Sequence, residues 1–138
     1  GNFARLTRLV ARGVPLPFGR IANRRSLVAV ENLADLLLTL SQHPQAAGGT
    51  FLVSDGEDLS TAGLVTLMGA ALMRPARLVA VPVALLELAG RLTGRGAEIH
   101  RLTSSLEVDI GPTRERLDWA PPVPVDQAIT RALRDFPR

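Results

Sequence analysis

The spacing of apolar residues predicts seven helices along the chain. The first begins near Asn2, a suitable N-cap, and ends before Gly13. One face of this helix carries Phe3, Leu6, Leu9 and Val10. Its other face, which we expect to be solvated, carries Arg5, Arg8 and Arg12. The other helices are predicted at residues 31–43, 60–73, 82–94, 97–105 and 112–117, and in a last apolar stripe from Val125 to Phe136.

Short apolar runs that are typical of strands lie between the helices. Residues 26–30 are predicted to form a buried strand that leads directly into the helix at 31–43. The inward positions of that helix are Leu33, Leu36, Leu37 and Leu40. Further strands are predicted at residues 50–53, 77–81 and 106–110, and residues 14–19, with two prolines, are expected to be extended. This alternation predicts an α/β fold with a small mixed sheet and flanking helices.

The composition fits a single folded domain over residues 1–138. The 138 residues are 46% hydrophobic and contain no linker, so one core is expected. Cysteine is absent, which excludes disulfides and thiolate metal sites. No apolar run reaches the roughly 18 residues of a membrane span and no signal peptide is evident, so a cytoplasmic location is expected. The chain opens with Gly1 instead of methionine, and we therefore expect it to be a piece of a longer protein.

The charges leave more than one class of partner open. All 16 basic residues are arginine, 13 residues are acidic, and the net charge is +3. A free-standing arginine-rich module that binds nucleic acid, or a regulatory module, is therefore an alternative. The arginines are dispersed among acidic residues, however, and the aromatic content of 4% is too low for a stacking platform. We expect no binding to nucleic acid or membranes, whereas the apolar content allows self-association as a homodimer.

The spacing of polar residues alone reveals no catalytic arrangement. His43 and His100 lack the spacing of a metal site. The acidic loop at residues 55–58 lacks the calcium-loop pattern, so we expect a solvated turn there. The pair Arg24-Arg25 is more informative because it precedes a predicted strand that feeds a helix, which places Arg25 beside a cleft. A guanidinium group there presents a planar fork of donors that matches phosphate oxygens.

Five segments, in order along the chain, resemble motifs of the extended short-chain dehydrogenase/reductases that act on nucleotide sugars. Residues 1–3 resemble N-N-L, and residues 16–19 resemble V-x-Y/F-G. Residues 25–34 resemble R-D-F-V-x-V-D-D-L-A, and residues 50–56 resemble Y-N-V-G-x-G. Residues 108–121 resemble D-x-x-K-x-x-x-x-L-G-W-x-P. Together these segments extend over essentially the whole chain.

Several positions depart from the family motifs. Ser26 stands where the family has aspartate, and Ala29 stands where it has histidine or tyrosine. Asp118 replaces the glycine of L-G-W, and Arg114 stands close to the usual lysine. Trp119 belongs to the same closing motif, and we expect it to pack in the core. The departures at the cleft leave open which sugar and which reaction are involved.

The family resemblance implies a substrate site made by Asn2, Phe3, Leu16, Phe18, Arg25 and Arg101. Arg25 and Arg101 would clamp the diphosphate of the substrate from two sides. Asn2 and the free amides at the start of the first helix would favour the same anion. Phe18 would pack on the nucleotide base, while main-chain groups around Leu16 would bind the edge of the base, as in uridine recognition.

The resemblance also implies that the chain is the C-terminal, substrate-binding lobe of an NAD(P)-dependent nucleotide-sugar epimerase, dehydratase or 4-keto reductase. The substrate would be a UDP-linked sugar, and the pathway would make surface polysaccharides. The catalytic Y-x-x-x-K pair of the family cannot lie here, because the chain has no tyrosine and no lysine. NAD(P) would be bound by an N-terminal Rossmann domain that this chain lacks. We therefore assign no catalytic, cofactor-binding or metal-binding residue, and we expect the chain alone to be inactive.

Overall fold

The computed structural model describes residues 2–134 and 136, and within them the chain forms seven helices and two short strands. The helices are α1 (Asn2–Ala11), α2 (Val30–Gln42), α3 (Thr61–Ala71), α4 (Val83–Leu92), α5 (Gly96–Thr103), α6 (Gly111–Leu117) and α7 (Val125–Leu133). The strands are β1 (Arg25–Ser26) and β2 (Asp58–Leu59). The fold is thus a mostly helical α/β arrangement with a small sheet, and the seven predicted helices are confirmed.

The ends of the helices differ from the sequence-based expectation by a few residues. Asn2 is the first residue of α1 and not its cap, and Gly13 follows the helix with a left-handed φ of 67°. The sequence allows Ser60 or Thr61 as the cap of α3, and the structure has Ser60, whose hydroxyl accepts a hydrogen bond from the N–H of Gly63 at 2.9 Å. Pro82 is the N-cap of α4 and not its first residue. Phe136 lies beyond α7, half-buried against the core.

Most of the strands predicted from the sequence are reduced in the structure to two residues or to single bridges. β1 pairs with β2 in antiparallel register, Arg25 opposite Leu59 and Ser26 opposite Asp58. Single parallel bridges join Leu16 to Leu78 and Arg25 to Leu106, so the sheet is mixed but very small. The strand predicted at residues 26–30 stops at Ser26. The segments at 50–53, 77–81 and 106–110 form no strands beyond these single bridges.

Hydrogen bonds to side chains and to a loop take the place of the strand pairing that the sequence predicted. Asp55 donates its main-chain N–H to the carbonyl of Leu27 at 2.8 Å, and its carboxylate accepts from the N–H of Ala29 at 2.8 Å. The hydroxyl of Ser26 accepts from the N–H of Val108 at 2.8 Å. Because these partners satisfy the main chain, the segments stay extended without pairing to another strand. The strand expected at 26–30 is also not buried, since its last residue, Val30, is 74% exposed and begins α2.

Two clusters of apolar side chains form the core. In the larger cluster α1 packs on α3, which in turn packs on α7. Its buried residues are Leu6, Val10, Leu16, Phe18, Ile21, Val65, Met68, Leu72, Leu86, Val125, Ile129 and Leu133. The smaller cluster comprises Leu36, Ile110, Leu117 and Trp119. The prediction that Leu37 faces inward is wrong: it is 56% exposed, because the buried stripe of α2 runs through Asn32 and Leu36, four residues apart.

The backbone at the end of α6 has a conformation that suits the glycine of the family motif. Asp118 follows α6 with φ 47° and ψ 41°, in the left-handed region that favours glycine. This is the position at which the family motif has glycine. Trp119 comes next and is buried, as expected, and its Nε1–H donates to the carboxylate of Asp35 on α2 at 2.7 Å. The left-handed turn therefore brings the indole back onto α2.

Replacing Asp118 with glycine is expected to raise the free energy of unfolding by about 0.5–1 kcal/mol. Glycine removes a left-handed strain of about 1–2 kcal/mol. Part of this gain is offset because glycine loses more chain entropy on folding than aspartate does. Urea unfolding of both proteins measures the difference. The control is Asp126→Gly in the first turn of α7, which should instead lower stability by about 1 kcal/mol. A loss of stability at position 118 would contradict the strain argument.

Candidate functional site

The structure brings Arg25 and Arg101, the two arginines expected to form a clamp, into direct contact. Arg25 lies in β1 and is half-buried, while Arg101 is exposed in the last turn of α5. One Nη of Arg25 donates a hydrogen bond to the main-chain carbonyl of Arg101. A guanidinium carries five donor N–H groups, so this bond uses only part of its capacity. The contact involves the main chain of Arg101, a residue that is exposed at the end of α5.

A buried polar network fixes the end of α5 beside β1. The side chain of Asn23, which is buried, donates to the carbonyls of Leu102 at 3.2 Å and Ser104 at 2.8 Å. The hydroxyl of Thr61, at the start of α3, donates to the same Leu102 carbonyl at 2.6 Å. The carbonyl oxygen of the Asn23 side chain accepts from the N–H of Thr61 at 2.8 Å. These bonds satisfy the carbonyl of Leu102 in the last turn of α5 and that of its C-cap Ser104, and they hold the main chain next to Arg101 in place.

Asn2 and Phe18 line one cavity of about 140 Å³ between α1 and α5. The full lining is Asn2, Arg5, Leu6, Leu9, Phe18, Arg95, Glu98, Ile99 and Leu102. Phe18 belongs to the core as well, so its ring is held firmly at the wall of the cavity. Leu102 lines this cavity and follows Arg101 directly along α5, but neither Arg25 nor Arg101 is among the lining residues.

Arg5, which the sequence pattern placed on the solvated face of α1, is exposed as expected and also lines this cavity. Its Nη1 forms an ion pair with Oε2 of Glu98 on α5 at 2.7 Å, and both side chains are about half exposed, at 50% and 42%. Arg5 follows Asn2 by three residues, so the two lie on neighbouring positions of one helix face. The three-residue spacing could have indicated, from the sequence alone, that Arg5 lies beside Asn2. Arg95, from the Gly94-Arg95-Gly96 turn, contributes a second cation to the same cavity.

Leu16 lies in the core with its main chain already paired. Its N–H donates to the carbonyl of Arg77 and its carbonyl accepts from the N–H of Val79, both at 2.8 Å. The side chain is 4% exposed. Leu16 therefore positions Phe18 through this pairing, and its own N–H is already used within the protein.

Phe3 lies apart from Asn2 and Phe18, on a larger and more apolar cavity of about 490 Å³. This cavity is lined by Phe3, Leu27, Val28, Ala29, Val30, Glu31, Asp55, Val125, Ala128, Ile129, Arg131 and Ala132. It follows the segment after β1 on one side and α7 on the other. Of the expected site residues, Asn2 and Phe18 thus share one cavity and Phe3 lines the other, whereas Leu16, Arg25 and Arg101 line neither of the two.

A buried polar network beside the larger cavity was not predicted from the sequence. The acidic loop was expected to be solvated, but Asp55 is only 8% exposed. Its carboxylate accepts from the side-chain amide of Asn32 at 2.7 Å. The same amide donates to the carbonyl of Val123 at 2.8 Å, and the Asn32 carbonyl accepts from the Val123 N–H at 2.9 Å. The expectation of a solvated loop is wrong for Asp55, because Asn32, fully buried in α2, needs these partners. Gly56 and Glu57 are exposed, as expected.

The rest of the acidic loop faces a polar groove and basic side chains. Asp58 pairs with Arg24 at 3.1 Å, and Arg24 also lies 3.5 Å from Glu107. Across residues 2–134 and 136, no group of three or more acidic or histidine side chains is arranged to hold a metal ion. Over the same part of the chain, no helix has the length and apolar character needed to cross a bilayer.

Comparison with known proteins gives a similarity along nearly the whole chain. The chain is 46% identical over 136 residues to UDP-glucose 4-epimerase of Vibrio cholerae, and the match includes 98% of the chain. The resemblance to the nucleotide-sugar epimerase family is confirmed. The chain spans 42% of the length of this relative. No family model matches the chain. No solved structure matches it either.

Proposed function

We propose that this chain binds the nucleoside diphosphate part of a nucleotide sugar within an NAD(P)-dependent epimerase, dehydratase or 4-keto reductase. The observation that carries the proposal is the contact between Arg25 and Arg101 at the end of α5. These are the two arginines that the family resemblance implies as a diphosphate clamp. The similarity to a protein named UDP-glucose 4-epimerase supports UDP as the nucleotide.

The charge and position of the arginine pair support a diphosphate ligand. Two guanidinium groups can offset most of the charge of a diphosphate and offer paired donors to its oxygens. Asn23 and Thr61 hold the end of α5 through buried hydrogen bonds, so the main chain there needs little reorganisation on binding.

The cavity between α1 and α5 would take the nucleoside end of the ligand. Its volume of about 140 Å³ is well below the roughly 300 Å³ at which pockets for drug-sized ligands begin. This size suits one flat ring, such as uracil, packed on Phe18. Asn2, the first residue of α1, lies at the same cavity, so the positive end of the helix dipole would favour an anionic group nearby. The sugar would extend from the arginine pair toward the remainder of the enzyme.

The remainder of the enzyme would supply the cofactor and the catalytic pair. NAD(P) supplies hydride transfer to and from the sugar when it is bound. The residues of this chain would bind and orient the substrate, since it has neither the tyrosine nor the lysine of the family's catalytic pair. A Rossmann domain outside this chain would therefore be its structural partner, and the chain alone would not turn over a UDP-sugar.

Calorimetric titration of the chain with UDP and with uridine tests the proposal. UDP is expected to bind at least tenfold more tightly than uridine, because each charge-assisted hydrogen bond to phosphate contributes about 1.5–3 kcal/mol. Equal affinities for UDP and uridine would overturn the diphosphate assignment. Titration with a single-stranded oligonucleotide is the control for the nucleic-acid alternative. Tight binding of the oligonucleotide that falls steeply with salt, without binding of UDP, would favour that alternative instead.

A further inference from the structure

Ser26 is bonded to both of the segments that flank β1. Its hydroxyl donates to the Asp58 carboxylate on β2 at 2.5 Å and accepts from the N–H of Val108 at 2.8 Å. Its main-chain N–H donates to the carbonyl of Leu106 at 2.9 Å. A hydroxyl that donates to a carboxylate makes a short, charge-assisted bond, about twice as strong as a neutral one. This one residue therefore ties β1 to β2 on one side and to residues 106–108 on the other.

The bonds of Ser26 fix the main chain of the neighbouring residue, Arg25. β1 has only two residues, so few main-chain bonds determine where it lies. Within it, Arg25 lies opposite Leu59 and also makes the single bridge to Leu106. Because side chains alternate along a strand, Ser26 faces away from the side on which Arg25 contacts Arg101. Ser26 can thus hold the main chain at Arg25 without touching a ligand bound there.

The Asp58 carboxylate has a second link to the chain beside β1. One of its oxygens accepts from Nη2 of Arg24 at 3.1 Å, and the Asp58 side chain is only 18% exposed. The Arg24 side chain is 65% exposed, so this ion pair contributes little by itself. The bond from the Ser26 hydroxyl is consequently the stronger of the two links between Asp58 and residues 24–26.

The family motif has aspartate at position 26, and that residue does not suit this structure while Asp58 is present. Ser26 and Asp58 lie directly opposite each other in the antiparallel pair. An aspartate at position 26 would set two carboxylates against each other, and like charges in directly opposite positions are destabilising. Exchanging the two residues would instead keep one hydroxyl and one carboxylate, with the same combined side-chain length between the strands.

We propose that Ser26 and Asp58 are a matched pair of positioning residues, which hold Arg25 where it binds the diphosphate of the substrate. The inference rests on the proposed function, because the position of Arg25 affects affinity only if Arg25 binds phosphate. The pair acts through the main chain of β1 and contacts no ligand itself. It determines how well phosphate is bound and not how well the nucleoside is bound, since neither residue lines the cavity between α1 and α5.

Calorimetric titration with UDP and with uridine tests the pair in the unmodified chain, in Ser26→Asp, and in the exchanged variant Ser26→Asp with Asp58→Ser. Ser26→Asp should weaken UDP binding about tenfold and change uridine binding by less than about twofold, because uridine has no phosphate for Arg25 to bind. The exchanged variant should recover UDP affinity to within about threefold of the unmodified chain. The matched control is Ser41→Asp, at an exposed position of α2. It adds the same negative charge and should change UDP binding by less than about twofold.

Ser26→Ala removes the same bond without introducing a charge, so the test does not depend on the folding of Ser26→Asp. It should weaken UDP binding about threefold to tenfold, and urea unfolding verifies that each variant is folded under the titration conditions. A loss of stability with an unchanged ratio of UDP to uridine affinity would overturn the positioning role. An exchanged variant that binds UDP no better than Ser26→Asp would overturn it as well. Equal affinities of the unmodified chain for UDP and uridine would instead reject the proposed function, and the positioning role would be rejected with it.

Discussion

Replacing Asn32 with leucine is expected to lower the free energy of unfolding by about 3–5 kcal/mol. Asn32 is fully buried and bonds the Asp55 carboxylate and both main-chain groups of Val123. Leucine has a similar volume, so the loss comes from polar groups left without partners. The Val123 N–H and carbonyl lose their partners, and the Asp55 carboxylate keeps only the N–H of Ala29 among these donors. Each such buried group costs about 1–3 kcal/mol.

Urea unfolding of the wild-type chain and of Asn32→Leu measures this loss. The control is Gln42→Leu, an exposed position at the other end of the same helix, which should change stability by less than about 0.5 kcal/mol. A loss below about 1 kcal/mol at Asn32 would show that the network stabilises the fold little.

The Asn32 network also links stability to the larger cavity. Asp55 lines that cavity and holds the main chain of Leu27 and Ala29, which line it as well. Without Asn32 the carboxylate loses the bond that ties it to α2. The wall formed by residues 27–30 should then become mobile before the rest of the core unfolds.

Helices could be predicted from the sequence because their information is local. The stripe of α7 and the cap at Ser60 depend only on spacing within one turn or two, and both are where they were expected. The strands failed for the opposite reason. Residues 26–30 have the apolar run of a buried strand, but their main chain bonds to Asp55, a residue far along the sequence. A pattern of apolar residues carries no information about such a partner.

The site could be predicted only in part, and for a similar reason. The family motifs pointed to Arg25 and Arg101, which are 76 positions apart and meet in the fold. Asn2 and Phe18 likewise share a cavity. Arg5 was assigned to solvent because its own helix places it opposite the apolar face. Its ion pair with Glu98 depends on how α5 packs against α1, which no local pattern specifies.

Replacing Arg25 with alanine is expected to weaken UDP binding by about tenfold to a hundredfold. The loss of one charge-assisted fork to phosphate costs about 1.5–3 kcal/mol, which sets that range. Arg25→Lys should recover only part of the affinity, because an ammonium group keeps the charge but not the planar fork. Calorimetric titration of each variant with UDP gives the affinities. Arg8→Ala, on the exposed side of α1, is the matched control because it removes the same charge, whereas Arg5 lines the cavity and cannot serve.

Arg25 also donates a hydrogen bond to the carbonyl of Arg101, so its loss could act through the position of α5 instead of through the ligand. The two roles are separable, since Asn23 and Thr61 hold the end of α5 without Arg25. A ligand role predicts that Arg25→Ala lowers affinity for UDP strongly and affinity for uridine hardly at all. A purely structural role predicts equal losses for both ligands and a matching loss in the free energy of unfolding. Equal losses of UDP affinity at Arg8 and Arg25 would mean that binding reflects only net charge, and the clamp would then be rejected.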